Sequence, residues 1–331
     1  MKTRFAFTGF RHSHILDLLA GVEEHPQTEL VACCEEDAET RADLAAKGRV
    51  HITHQDHAAM LREVPCDVVA IGDTYGRRGA LVLAALKAGK HILSDKPLCT
   101  SLAELDAIEA AAAERNLLIG LQLDSRGYGA MRTLREIILS GRIGALCSLH
   151  IGGQHPLLLG RRPAWYFVPG QHGGTINDIG VHAFDFVPWM TGLSWDGIPF
   201  ARSWNAKASE FPHFEDCAQL MGTLDNGAGV LADFSYLAPD TLGYQLPFYW
   251  RILAHGTRGQ AQTHLLGTDV ELITDSATEP ERIPVLPHTP RAYLNDFLLE
   301  IFGHPPQDGL RSVDALRATR LALQTQARAS R

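Results

Sequence analysis

Over about its first 120 residues the chain alternates short apolar runs with longer helical patterns, and this alternation narrows the fold more than any other feature. RFAFT (4–8), ELVACC (29–34), DVVAI (67–71), KHILS (90–94) and NLLIGL (116–121) are compact and rich in Val, Ile and Leu. Strands buried on both faces of a parallel sheet need that composition. Between them lie HILDLLAGVEEH, DAETRADLAAKG, GALVLAALKAG and SLAELDAIEAAAAER, which carry helical spacing. In the last, Ser101 with Glu104 three residues on reads as a capping box. Strand–helix–strand alternation with short loops predicts an α/β fold with a doubly wound parallel sheet. Ligands bind such sheets outside the carboxyl ends of the strands.

Past residue 122 the rhythm changes. A helix over about 127–140 ends at SGRIG, and then ALCSLHIGG, ARSWNAKA, DCAQLMGTL, AGVLADFSY, FYWRILAHG and GQAQTHLL follow as strand-like runs. Strands in succession after one helix predict an antiparallel or mixed sheet in a second domain. Helices near 290–302 and 311–328 close the chain. The expected division is therefore 1–122 and 123–331, with no linker, repeat or low-complexity tract between.

The formal charge is −8, with acids and bases interspersed. A nucleic-acid binder would show a basic stripe, and a polybasic membrane contact a Lys/Arg cluster; neither is present. Cys33, Cys34, Cys66, Cys99, Cys147 and Cys217 form no CxxC, so they read as free thiols, mostly buried. The opening MKTRFAFTGF has too short an apolar run for a signal peptide, and no stretch approaches the roughly 18 apolar residues of a membrane helix. The expectation is a cytoplasmic protein.

After the first strand comes GFRHSH, where a dinucleotide-binding loop would read GxGxxG. In that fingerprint the first glycine makes the turn, the second admits the pyrophosphate and the third lets helix pack on strand. Gly9 supplies the first; Arg11 and His14 replace the others, with Phe10, His12 and Ser13 between. Glu35 ends the second strand, where an acid binds ribose hydroxyls, and Glu36 and Asp37 follow it. Three acids would repel a 2′-phosphate, so NAD is expected over NADP. Arg11, His12, Ser13 and His14 could donate side-chain bonds to phosphate at a helix N-terminus. The competing reading is that Arg11 and His14 block it.

Two further segments are more specific. DVVAIGDTYGRRGALVLAALKAGKHILSDKPL (67–98) resembles, without a gap, a stretch of the glucose-fructose oxidoreductase / inositol dehydrogenase / MocA family that ends in its Glu-Lys-Pro motif. GGTINDIGVHAFDFVPWMTG (173–192) resembles that family's Gly-Gly pair followed by Asp-x-Gly-x-His-x-x-Asp. The resemblance covers essentially the whole chain. It implies an N-terminal Rossmann domain, a C-terminal α+β domain with a large open, mostly antiparallel sheet that often joins copies into dimers or tetramers, and NAD(P)-dependent oxidation of a hydroxyl on a sugar, cyclitol or sugar acid. It also implies that Lys96, Asp178 and His182 are catalytic, with Asp95 in place of the motif glutamate, and that the Lys96–Pro97 bond is cis. Gln122, at the end of the fifth strand, and Trp165 are expected beside substrate.

The residue types suit those roles. Asp178 and His182 are i, i+4, so on a helix they share a face. A neutral imidazole can take a hydroxyl proton near pH 7, and a lysine at a strand's carboxyl end favours a developing alkoxide. The bland alternatives are an N-cap aspartate, a core histidine and a surface lysine. The loop GGQHPLLLGRRPAWYFVPGQHGG (152–174) places Trp165, Tyr166 and Phe167 beside Arg161 and Arg162. Such a group suits a hydroxylated, perhaps carboxylated substrate, or simply covers a groove.

The family's strand at 67–71 usually runs into Thr-Pro-Asn-x-x-His; here the residues are Asp73, Thr74, Tyr75, Gly76, Arg77 and Arg78. The cofactor side is thus altered at two loops while Lys96, Asp178 and His182 remain. One reading is NAD held differently, with Tyr75 stacking on a ring and Arg78 or Arg11 on phosphate. Others are a metal-dependent lyase or isomerase without nucleotide, a transient-oxidation epimerase or lyase, and a non-catalytic ligand sensor. For a metal, His12, His14 and His182 are the candidate ligands, with His155, His172 and Asp178 in reserve.

Overall fold

A computed structural model describes residues 2–330. Unit one comprises residues up to Gln122 together with Pro163–Gly173 and Tyr293–Leu316. Unit two comprises Leu123–Arg162, Gly174–Ala292 and the residues from Arg317 on.

Unit one is built on five parallel strands, β1 (Thr3–Thr8), β2 (Thr28–Cys34), β3 (Val68–Ile71), β4 (His91–Ser94) and β5 (Ile119–Leu121), in the order β2-β1-β3-β4-β5. The crossovers are α1 (Ile15–Glu24), α2 (Ala38–Ala46), α3 (His57–Glu63), α4 (Tyr75–Lys87) and α5 (Leu102–Arg115). All of β3 and nearly all of β1 is buried, as apolar runs without alternation require. In α1, Ile15, Leu18, Leu19 and Val22 fall at i, i+3, i+4 and i+7, the stripe that faces a sheet. Burying each contributes roughly 1.5–3 kcal/mol.

The caps follow the sequence closely. Ser101 accepts a bond from the Glu104 amide at the start of α5, while the Glu104 carboxylate turns back to the Thr100 amide. Asp37 caps α2 through the Thr40 amide. The strand order reverses direction between β1 and β3, the switch point at which α/β sheets bind ligands. GFRHSH lies on this point: the Gly9 amide bonds Cys34 O at the end of β2, and the His12 amide bonds Gly72 O after β3.

Unit two carries an eight-stranded sheet in the order β13-β12-β11-β10-β6-β9-β8-β7. Its strands are β6 (Leu146–Pro156), β7 (Trp195–Trp204), β8 (Cys217–Leu224), β9 (Gly229–Ala238), β10 (Arg251–Gly256), β11 (Gly259–His264), β12 (Asp269–Thr274) and β13 (Glu281–Pro284). Only β6 and β9 pair in parallel; every other neighbour is antiparallel. Helix α6 (Gly129–Leu139) packs on β11 and β12 and against α7 (Val181–Thr191), which a π-helical turn at Ile176–Gly180 precedes. Of the closing helices, α8 (Ala292–Ile301) lies almost wholly in unit one and most of α9 (Ser312–Ala329) in unit two. On the other face of the sheet Phe200, Met221 and Leu231 stay 50%, 50% and 46% exposed. No helix among the described residues is long and apolar enough to cross a membrane.

Candidate functional site

In unit one, the turn after β1 depends on Gly9. Its φ is +75°, and a Cβ there would stand 2.6 Å from Asp73 Cβ and 2.7 Å from the Asp73 amide. Only glycine meets both demands. Glu35, fully buried at the end of β2, accepts from the Phe10 and Asp37 amides, so its carboxylate shapes the loop. Burial raises its pKa, and those two amides pull it back. Arg11 crosses the same acids, with Asp37 at 3.3 Å, Asp73 at 3.6 Å and Glu35 at 4.0 Å. The amides of Ser13 and His14 have no internal partner among the described residues and begin α1, as at anion-binding helix N-termini.

Behind this loop lies a buried polar cluster. The Nδ1 of His12 bonds Asp95 Oδ2 at very short range, and its Nε2 lies 3.0 Å from the Tyr166 hydroxyl and 3.2 Å from that of Tyr75. Those hydroxyls are 2.5 Å apart. Burial holds His12 near pKa 3, against the pull of Asp95, so the ring is neutral. Burial alone would raise the pKa of Asp95; the charge of Arg78 and the contacts with His12 and His14 overcome it and keep the carboxylate ionised. With Asp95 charged, His12 donates from Nδ1 and accepts at Nε2. Arg78 is fully buried and donates to Asp73 O, Asp95 O, Pro97 O and Asp95 Oδ2. Tyr75, also buried, stacks on that guanidinium at 4.6 Å.

The segment at 163–173 belongs to this unit. Gly76 N donates to Gln171 O, Thr74 Oγ1 donates to the Gln171 side chain, and a Cβ on Gly76 would lie 2.4 Å from Gly170 O. So held, Trp165 packs on Tyr75 and Tyr166 and donates its indole N–H to Arg11 O. Gln122 donates to His14 O. Lys96 is buried just beyond β4, and the Lys96–Pro97 bond is cis.

In unit two, Gly174 has φ +95°, and a Cβ there would lie 2.2 Å from the Gln326 side chain, which accepts from the Ile176 amide. This accounts for the second glycine of the Gly-Gly pair. Asp178 lies in the π turn and His182 in the first turn of α7. A π turn changes the i, i+4 relation that a regular helix would give, and such turns recur at functional sites. The Tyr236 hydroxyl donates to Asp178 Oδ2, Ser125 Oγ lies 3.5 Å from His182 Nδ1, and Trp250 meets the His182 ring edge-on at 5.7 Å. Asp185, the last acid of the motif, is structural: Arg126 clamps it with two bonds, the shorter 2.6 Å. His155 sits beside Tyr236 and Tyr249.

Sequence reasoning did not single out Tyr236 or Ser125. Tyr236 lies in phase with the buried Val230, Ala232 and Phe234, so alternation along β9 was the available signal. Ser125 carried none.

Comparison with known proteins gives a consistent result. Residues 4–123 match the family model described as oxidoreductase family, NAD-binding Rossmann fold, and residues 131–262 match that of the GFO/IDH/MocA C-terminal domain. The chain is 31% identical over 160 residues to 1,5-anhydro-D-fructose reductase of Ensifer adhaerens, which is 47% of each protein. It is 25% identical over 165 residues to trans-1,2-dihydrobenzene-1,2-diol dehydrogenase of Bos taurus, 50% of this chain and 48% of that one. These matches thus span about half the length of the curated relatives. A solved structure from Erwinia carotovora atroseptica superposes over 100% of this chain and 99% of that one, with TM-score 0.87 and 25% identity. UDP-N-acetylglucosamine 3-dehydrogenase from Acidithiobacillus ferrooxidans shares the fold over 99% and 97% of the two chains, with TM-score 0.75 and 22% identity.

Proposed function

Because the chain belongs to the glucose-fructose oxidoreductase / inositol dehydrogenase / MocA family of oxidoreductases, we propose that it is an NAD-dependent dehydrogenase of a sugar, cyclitol or sugar acid. The observation that carries this reading is the retained loop frame: Gly9 pressed against Asp73 at the switch point, with the amides of Ser13 and His14 opening α1. A pyrophosphate fits that frame. Ser13, His14 and the Arg11 guanidinium would hold it, and Glu36 or Asp37 would take the ribose hydroxyls that the enclosed Glu35 does not present. NAD bound there would supply the hydride acceptor. The acids at 35–37 favour it over NADP, whose 2′-phosphate they would repel.

The chain's own residues handle the proton. His182 takes it from the substrate hydroxyl, Lys96 stabilises the oxygen as charge develops, and Asp178, held by Tyr236, positions the base. Proton transfer of this kind is worth about 10²–10⁴ in rate. Trp165 and Gln122 fall to substrate contact. The uncovered face around Phe200, Met221 and Leu231 is assigned to contact between copies, as a homodimer or homotetramer, because contiguous apolar surface of this kind marks interfaces.

The test is calorimetric titration of the purified chain with NAD and NADP, followed by a screen of polyols and sugar acids for NADH formation. Micromolar binding of NAD with weaker NADP, and turnover lost in His182→Ala, is the expected result. No binding of either nucleotide at millimolar concentration would end the dehydrogenase reading.

A further inference from the structure

Four of the residues that depart from the family's pattern meet in one place. Asp95 in place of glutamate, Tyr75 in place of asparagine, Arg78 in place of histidine and His14 in place of the third glycine all join His12 in one cluster of unit one. We infer that this cluster is a divalent transition-metal site with His12, His14 and Asp95 as ligands. It goes beyond the dehydrogenase reading and does not depend on it.

Each of the three offers one ligand atom, and those atoms all lie within 4.8 Å of one another. Asp95 is fully buried, and its two oxygens are treated differently. Oδ2 takes Arg78 and His12 at short range, whereas Oδ1 has only His14 Nδ1 near it, at 3.5 Å, too long for a good hydrogen bond. A buried carboxylate oxygen left without a hydrogen bond is costly unless a cation takes it. In a tetrahedral site with bonds of about 2.1 Å, neighbouring ligand atoms stand roughly 3.4 Å apart. Oδ1 and His14 Nδ1 therefore already sit like two corners of such a site.

His12 supplies the third corner by moving its proton from Nδ1 to Nε2. That nitrogen then donates to the Tyr166 or Tyr75 hydroxyl, both within reach. A metal-binding histidine usually has its other ring nitrogen held in this way. Arg78, fixed on three backbone carbonyls, keeps Oδ2 and so presents Oδ1 to the ion. Two imidazoles and one carboxylate suit zinc or cobalt over magnesium or calcium, which prefer oxygen. Three protein ligands leave a fourth position for a water or a substrate hydroxyl. The His14 side chain is 43% exposed, which gives an ion a way in.

Full-length protein, stripped with a chelator and dialysed, is titrated with Co²⁺ while its visible absorption is followed, and Zn²⁺ is then added as competitor. One equivalent of cobalt binding in the micromolar range is expected, with four-coordinate bands, no thiolate charge-transfer band, and displacement by zinc. Both His14→Ala and Asp95→Asn should weaken it by about 10-fold or more. Since Asp95→Asn leaves Arg78 without its buried partner, its fold is checked by circular dichroism; His14→Ala removes a half-exposed ring and carries the test alone if Asp95→Asn does not fold. Wild-type protein that takes up no cobalt at high micromolar concentration overturns the site, as does uptake equally tight in His14→Ala.

Discussion

The hydroxyl of Tyr236 donates to Oδ2 of Asp178, joining strand β9 to the π turn before α7. The bond ties the carboxylate proposed to position His182 to a strand of the sheet. Removing the hydroxyl takes away one hydrogen bond that orients the Asp178 carboxylate. Tyr236→Phe should lower kcat about 10-fold, the equivalent of ~1.4 kcal/mol, with KM little changed and the melting temperature within a few degrees of wild type. An unaltered kcat would remove Asp178 from the positioning role.

Arg11 lies among Asp37, Asp73 and the buried Glu35. Two opposed outcomes separate its roles. If the guanidinium binds phosphate, Arg11→Ala weakens NAD by about 10-fold or more, since a charge-assisted bond is lost and three acids then face the phosphates. If it only fills the loop, the same change tightens NAD. The first outcome is expected, and calorimetry at two salt concentrations reads it, the loss being larger at low salt.

Gly9 offers a backbone test of the same loop. A side chain at φ +75° and 2.6 Å from Asp73 Cβ forces both residues apart. Gly9→Ala should cost about 1–3 kcal/mol of unfolding free energy and abolish NAD binding. Wild-type stability and affinity in this variant would mean the turn is not what holds the nucleotide.

How much of this was legible in the sequence follows from the range of each interaction. Ile15, Leu18, Leu19 and Val22 announce α1 because helical spacing is local, and Ser101 with Glu104 announces α5 for the same reason. The parallel strands were legible as apolar runs. Strands β12 and β13, at one end of the sheet, were both missed; β13 is largely exposed and carries no alternation. The pairing of His12 with Asp95 spans 83 positions, and nothing near either residue marks it. Likewise, 163–173 sits in sequence amid unit two yet packs in unit one, through backbone contacts at Gly76 that no side-chain pattern encodes. The π turn was unreadable because it differs from an α-turn by a single hydrogen-bond shift.

The exposed Phe200 and Met221 lie opposite each other on β7 and β8. If this face joins two copies, Phe200→Asp places a charge in the contact and should convert the oligomer to monomer in light scattering after size exclusion. The fold should be unharmed, because the side chain is half exposed in the single chain. Wild-type protein that is already monomeric at micromolar concentration rules the assignment out.

Stability should fall as the solution is acidified below the ordinary histidine range, and His91 gives one cause. Its Nδ1 accepts the Leu118 amide proton, which demands a neutral ring, and burial lowers its pKa, with Asp67 opposing in part. Burial lowers His57 in the same sense. A histidine with a depressed folded pKa binds its proton more readily when unfolded. The unfolded chain therefore holds more protons between that folded value and about 6.5, and stability rises with pH across the interval. The contribution is fully present above the unfolded pKa and is lost as pH falls below it, at no more than ~1.4 kcal/mol per pH unit for each group. Urea unfolding at a series of pH values from neutral to mildly acidic should show the midpoint moving down. In His91→Asn, whose side-chain oxygen can accept the Leu118 proton without titrating, the slope should be shallower. An identical slope in the variant would mean that His91 does not carry the effect.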